Sequence, residues 1–310
     1  MKEQVVFQKP IPGKQPSYVM AVHFPESPEA FSGFNGSGAN CIRINLGTKR
    51  PAFDPLEAVR HCKGLRGLSI VGSFSSSWET LNEMEELENF AVDVAPPQGF
   101  SLCSPQLTDL GIKWWEGFKD STVSRRLIDV EISGYPHRSL EALGELPCLD
   151  RLILGGRNLE SLSGASELGS LRVLHVFDAR SIKEIGVPPK SIEVLEVYGC
   201  SGELEICGVQ SMPQVWFLRI EGKATIDSVD PILKLNELER LSLSGMTILD
   251  HLPSKLLEIK ALRHVVFDPR RGYDMRAPEI NNLLKERPQT ESCTPAGFNA
   301  RRGSGREVIF

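Results

Sequence analysis

The sequence predicts an α/β solenoid, a stack of short units that share one parallel β-sheet. Three observations carry this reading. The pattern apolar-x-x-apolar-x-apolar occurs ten times, with first positions 22, 20, 20, 22, 22, 21, 23, 23 and 24 residues apart. Within each match, positions 4 and 6 are two residues apart and so point to one side of a strand. Several matches are followed by a second apolar pair, as at Leu159/Leu162, Ile182/Ile185, Ile226/Val229 and Ile248/Leu252. A unit of this size cannot bury such residues alone, whereas stacked units share a continuous core.

The ten strand segments are LRGLSI (65–70), LENFAV (87–92), LTDLGI (107–112), LIDVEI (127–132), LDRLIL (149–154), LRVLHV (171–176), IEVLEV (192–197), VWFLRI (215–220), LERLSL (238–243) and LRHVVF (262–267). These units resemble leucine-rich repeats, whose pattern is L-x-x-L-x-L-x-x-N/C-x-L. The first six positions match well; the ninth matches only at Cys200. Most units instead carry glycine near positions 7 to 9: Gly72, Gly134, Gly155 and Gly156, Gly199, Gly222 and Gly245. The resemblance covers about residues 60 to 270. It implies a right-handed leucine-rich-repeat solenoid of about ten repeats, irregular and bacterial-looking, with the continuous parallel sheet on its concave face. Units of 20 to 24 residues leave room on the convex side only for turns or single helical turns. The exception is the stretch 75–90, where Trp78, Leu81, Met84 and Leu87 suit a longer helical segment.

A solenoid exposes apolar core at both ends and needs caps. Residues 1–58 are expected to form the first, from strands over 18–24 and 40–46 joined by loose glycine-rich chain. At DPLEAVRHC (54–62), Asp54 suits an N-cap and Pro55 the first helical position. The solenoid proper spans 59–288 and ends in a capping helix over 277–288, stopped by Pro288. The remainder, 289–310, reads as a mobile tail rich in Gly, Ser, Thr and Arg.

Composition narrows the function. The chain has 35 Lys and Arg against 40 Asp and Glu, a net charge of −5. That is not the basic footprint of a nucleic-acid binder or of a membrane-surface contact. No apolar run approaches the ~18 residues of a membrane span. The first residues lack a signal-peptide core, so a cytoplasmic protein is expected. The seven cysteines are scattered without a CxxC pair, which indicates neither a disulfide framework nor a zinc site. The glycines of FSGFNGSGAN (31–40) lack the Gly-Lys-Ser/Thr ending and following helix of a phosphate cradle, and read as a flexible turn. No GxSxG, HExxH or kinase-like set occurs, and the six histidines have no metal-ligand spacing. Cys293 lacks a neighbouring histidine. No catalytic residue, metal or cofactor is expected.

If positions 3, 5 and 7 face outward, the concave surface carries seven acidic and four basic residues among thirty. Phe177 and Tyr198 share position 7 of adjacent units, and Phe217 lies at position 3 of the next, in the column of Val173 and Val194. His175, Asp178, Glu196, Arg219 and Glu221 surround them. Aromatic side chains inside a charged rim are the composition of a protein-binding hot spot. Trp114, Trp115 and Tyr135, just after their strands, extend the surface in this reading, with at least one tryptophan assigned to the core. The expected function is a non-enzymatic protein-binding module. The chain's appearance is similar to that of bacterial immunity proteins, which implies sequestration of a cognate toxin, with the acidic surface suited to a basic toxin domain. A scaffold or adaptor that binds without inhibiting, and an enzyme confined to residues 1–60, are the alternatives. Phe177, Tyr198 and Phe217 are expected to be accessible, and Leu152, Leu174, Leu195, Leu218 and Leu241 fully buried.

Overall fold

The computed structural model describes residues 4–8, 17–23, 25–48, 50–186 and 188–287. The expected stop at Pro288, the tail 289–310 and Cys293 lie outside them. The chain forms two compact units that divide between Ser133 and Gly134. In the first, β1 (Gln4–Gln8) pairs antiparallel with β2 (Ser17–His23). From β2 onward the strands run parallel in chain order: β3 (Cys41–Asn45), β4 (Gly67–Val71), β5 (Asn89–Val92), β6 (Asp109–Lys113) and β7 (Asp129–Ser133). In the second, β8 (Arg151–Gly155), β9 (Val173–Phe177), β10 (Val194–Glu203), β11 (Phe217–Ile226) and β12 (Arg240–Leu243) follow in the same way. There β13 (Thr247–Ile248) pairs with the far end of β11, and β14 (His264–Phe267) pairs with β12. This is the repeat solenoid with a parallel sheet that the spacing predicts, and all ten pattern matches fall on strands. No helix among the described residues is long and apolar enough to cross a membrane.

The register explains the core. Like positions meet like, as in Leu174–Leu195–Leu218–Leu241, so each leucine packs on its counterpart one strand away. Every residue at positions 1, 4 and 6 of the ten matches is buried, with at most 6% exposure at Val92 and Phe267. The five leucines expected to be fully buried are at 0 to 2%. At position 8 the later units stack backbone on backbone. A Cβ on Gly245 would lie 2.0 Å from the carbonyl oxygen of Gly222, and one on Gly222 would lie 2.2 Å from that of Cys200. Their φ angles of 79° and 151° also disfavour a side chain.

The return path is built from short 3-10 turns, such as Ala165–Glu167, Cys207–Ser211 and Ile232–Lys234. In the 75–90 stretch the helix is also 3-10 and only Trp78–Glu83. Its apolar spacing of three suits three residues per turn. Trp78, Leu81, Met84 and Leu87 are all buried as expected. One expected core residue is not. Leu252 is 40% exposed, because the 3-10 turn Pro253–Glu258 that follows it turns Leu256 inward instead.

The first 58 residues contain more repeat than their sequence shows. Met20, Ile42 and Leu68 share one register column, as do Val22, Ile44 and Ile70. Position 1 is occupied there by Ser17 and Ala39, which hides the pattern. The glycine-rich segment between these strands is not loose chain. It forms the 3-10 turn Pro28–Phe31 and α1 (Phe34–Ser37), and buries Phe31 and Phe34 to 3% and 1%. Gly38, at φ 73°, then releases the chain into β3. In α2 (Pro55–Val59) the Asp54 carboxylate accepts from the backbone N–H of Leu56 and Glu57, the expected cap.

The far end is closed by α3 (Ala277–Lys285), which buries Ala277, Ile280 and Leu284. The Glu279 carboxylate accepts from the Arg276 N–H at 2.6 Å, completing the helix start. Among the described residues, Asn281 covers the free edge of β14. Its Oδ1 accepts from Val265 N–H and its Nδ2 donates to Val265 C=O, both at 2.8 Å. The side-chain amide thus supplies what a further strand would.

Leu195→Ala is expected to cost ~2–5 kcal/mol in a denaturant titration, as for a large-to-small change in a packed core. A cost below ~1 kcal/mol would contradict the register. Asn281→Ala leaves a backbone donor and acceptor of β14 unsatisfied, and is expected to cost ~1–3 kcal/mol in the same assay.

Candidate functional site

The outer face of β8–β12 carries the residues of interest, and register aligns them in rows. One row runs Val173, Val194, Phe217, Arg240; the next runs Ile153, His175, Glu196, Arg219, Ser242. In the first row the expected exposed anchor fails. Phe217 is only 5% exposed and Val194 only 1%. The reason is Trp216, whose indole lies near-parallel to the Phe217 ring at 5.8 Å. Val173, Val194, Trp216 and Phe217 form a small apolar cluster on the side of the sheet away from the main core. Trp216 stands at position 2, where neighbouring units carry Arg172, Glu193, Glu239 and Arg263. Backbone hydrogen bonds of 2.8 to 3.0 Å link these position-2 residues from strand to strand. The charges pair along this column, Arg172 with Glu193 at 3.5 Å and Arg263 with Glu239 at 3.9 Å. A tryptophan among charges was the available signal for the cluster, and attention to positions 3, 5 and 7 alone passes over it.

In the second row Glu196 is the centre. It is 7% exposed, and its Oε2 accepts from the Tyr198 hydroxyl at 2.6 Å. Arg219 Nη1 donates to the Tyr198 hydroxyl at 2.7 Å and lies 3.6 Å from Glu196 Oε1. On the other side, His175 Nε2 is 3.6 Å from Glu196 Oε2. Arg219 Nε reaches Glu221 Oε1 at 3.3 Å, and the Ser242 hydroxyl donates to the same oxygen at 2.9 Å. The Arg219 guanidinium also stands over the Phe217 ring at 5.0 Å and the Tyr198 ring at 5.8 Å. The structure therefore gathers His175, Glu196, Tyr198, Arg219 and Glu221 into one network spanning β9 to β12.

Its electrostatics follow from burial and pairing. Burial, then donation to Glu196, raises the Tyr198 hydroxyl well above its ordinary range, so Tyr198 remains a donor. Burial lowers the His175 pKa, Glu196 opposes that, and Arg151 and Arg219 add to it. Burial works against the Arg219 charge, but Tyr198, Glu196 and Glu221 outweigh it and raise its pKa.

Phe177 stands apart from the network and is 37% exposed. Its ring lies across β8 at Gly155, where a Cβ would come within 2.7 Å of Phe177 Cζ. Glycine at that point lets the ring lie flat. The strand then turns at Asp178, whose φ of 56° is tolerated by aspartate, and Asp178 pairs with Arg180 at 2.6 Å. Tyr198 is half-buried, between these extremes.

The expected extensions of the surface are core. In the first unit Trp114 and Trp115 are 8% and 4% exposed and both pack on Phe118, at 5.7 and 5.4 Å. Trp115 Nε1 donates to Phe100 C=O at 3.0 Å. In the second unit Tyr135 is 2% exposed and its hydroxyl donates to Ser139 C=O at 2.6 Å. Chain leaving a strand end turns toward the return path, and large rings there fill the corner. Charge is also divided. The outer face of β5–β7 and the residue after β5 hold Asp93, Asp109, Asp129 and Glu131 against Lys113. That of β8–β14 and the residue after β14 balance Glu196, Glu221 and Asp268 against Arg151, Arg219 and Arg240.

No protein-family model and no curated protein matches the chain. Among solved structures it is similar to internalin C2 of Listeria monocytogenes, at 18% identity and TM-score 0.44 over 61% of this chain and 75% of that one. A second Listeria monocytogenes internalin, inlF, is similar at 12% identity and TM-score 0.48 over 83% of each. A leucine-rich-repeat protein of Leptospira interrogans is similar at 15% identity and TM-score 0.26 over 73% and 78%. The repeat architecture rests on the strand register itself.

Burial separates the two phenylalanines in a way a stability assay reads. Phe217→Ala opens the Trp216 cluster and is expected to cost ~3–5 kcal/mol, as for a buried aromatic. Phe177→Ala is expected to stay within ~0.5 kcal/mol of wild type, as for a surface change.

Proposed function

We propose that the chain is a non-enzymatic protein-binding module whose partner docks on the outer face of β8–β12. The observation that supports this most is Phe177, a large aromatic side chain exposed on the sheet near a charged network centred on Glu196. Anchors of this kind, ringed by polar groups that exclude water, dominate protein interfaces. Tyr198 and Arg219 would contribute from the rim, with their side chains already fixed, so little rotamer entropy is lost on docking.

The finer reading is an immunity protein that sequesters a cognate toxin in the cytoplasm. It is supported by the acidic excess around β5–β7, which would complement a basic toxin domain such as a nuclease and speed its capture. A scaffold or adaptor that recruits a protein without inhibiting it is the second reading, and the neutral charge balance of β8–β14 favours it over a purely electrostatic inhibitor.

A titration against the product of the neighbouring gene tests both levels. Phe177→Ala is expected to lose ~2 kcal/mol or more of binding while folding normally. Unchanged affinity would place the interface elsewhere. A stoichiometric complex that abolishes a toxin's activity supports the immunity reading, and binding without inhibition supports the adaptor.

A further inference from the structure

Two side chains, Tyr198 and His175, face one carboxylate oxygen at the centre of the site. Glu196 Oε2 accepts from the Tyr198 hydroxyl at 2.6 Å, and His175 Nε2 stands 3.6 Å from the same atom. The second distance is too long for a hydrogen bond. It suits a neutral imidazole that carries its proton on the other nitrogen. Register places Glu196 between His175 on β9 and Arg219 on β11. The carboxylate is thus held on the Arg219 side by Tyr198 and Arg219, with an unused donor position facing it from β9.

We infer that Glu196 is a proton-driven switch of this face: neutral His175 leaves it with Tyr198 and Arg219, and protonated His175 draws it toward β9. The proton comes from solvent, since the His175 side chain is 28% exposed while that of Glu196 is only 9% exposed. An imidazolium N–H then donates to Oε2, and a full positive charge outcompetes a hydroxyl dipole for it. Tyr198 keeps Arg219 Nη1 as a donor to its oxygen and turns its own proton outward. Arg219 keeps Glu221 at 3.3 Å and its seat over the Phe217 ring at 5.0 Å. The acidic state therefore presents a free hydroxyl donor and a less neutralised guanidinium, both of which favour an acceptor-rich, anionic partner group.

The surrounding charges are consistent with a switch that rests in the neutral state. From β8, Arg151 faces His175 and opposes its protonation; from β10, Glu196 favours it; from β11, Arg219 opposes it. Tyr198 on β10 stays protonated. No other residue of β9 is titratable. The imidazole is thus held uncharged near neutrality by burial and two cations, and only one carboxylate waits to receive it.

The switch belongs to the free chain, and only its use in recognition rests on the protein-binding reading. Nuclear magnetic resonance of the full chain, without partner, tests it. The His175 ring 13Cε1 signal is followed through a pH titration together with the Tyr198 ring and Arg219 Nε signals. The expected result is one shared midpoint, below the ordinary histidine value near 6.5. His175→Gln should abolish the Tyr198 and Arg219 shifts. Glu196→Gln should abolish them too and move the His175 midpoint further down. Tyr198 and Arg219 signals that stay flat through the His175 midpoint of the wild-type chain would overturn the inference, and that measurement decides it even if a variant fails to fold. Loss of partner binding by Phe177→Ala bears on the docking face and leaves the titration untouched.

Discussion

Everything in this molecule follows from in-register pairing of parallel strands about 4.8 Å apart. Because each strand meets the next with no offset over its core positions, a residue type that suits one unit must suit contact with its own kind. Leucine does, and Leu174, Leu195, Leu218 and Leu241 form a column. The turns are subject to the same spacing. At position 8 consecutive backbones lie so close that a single Cβ at Gly222 or Gly245 would overlap a carbonyl oxygen. Glycine is the residue that permits this approach.

The same stacking organises the outer face. Apolar residues in one row coalesce into the Trp216 cluster, and charges in the next row find opposite charges one strand away. Position 2 repeats the logic with Arg172, Glu193, Glu239 and Arg263. Buried charge is costly unless paired and hydrogen-bonded, which accounts for the several partners that surround Glu196. The acidic excess and the exposed Phe177 also sit on different strands.

The architecture was legible because the core pattern is local: a three-residue signature repeated ten times places the strands and the inward side without further information. β2 and β3 were legible as strands but not as repeats, because Ser17 and Ala39 stand where the signature needs a large apolar residue. Phe31 and Phe34 were masked by the glycines around them. On the outer face, register brings His175, Glu196, Tyr198, Arg219 and Glu221 together as the sequence grouped them, but Phe177 and Asp178, grouped with them, lie apart against Gly155 and Arg180. Sequence misjudged Phe217, Trp114 and Tyr135. Whether an outward ring is covered depends on which way a neighbour such as Trp216 folds, and that is decided by packing rather than by position in the repeat. Leu252 failed for the converse reason: a proline next to it redirected the chain and passed its role to Leu256.

The Asn281 amide seated on Val265 makes the last strand and its helix a detachable terminus. A stack ended by a side chain of its own closing helix need not be any particular length. Duplicating or deleting a 22-residue module upstream would leave the final strand, its amide and its helix as they are. The rows of the outer face would change with the modules, while this closing unit is carried along unchanged.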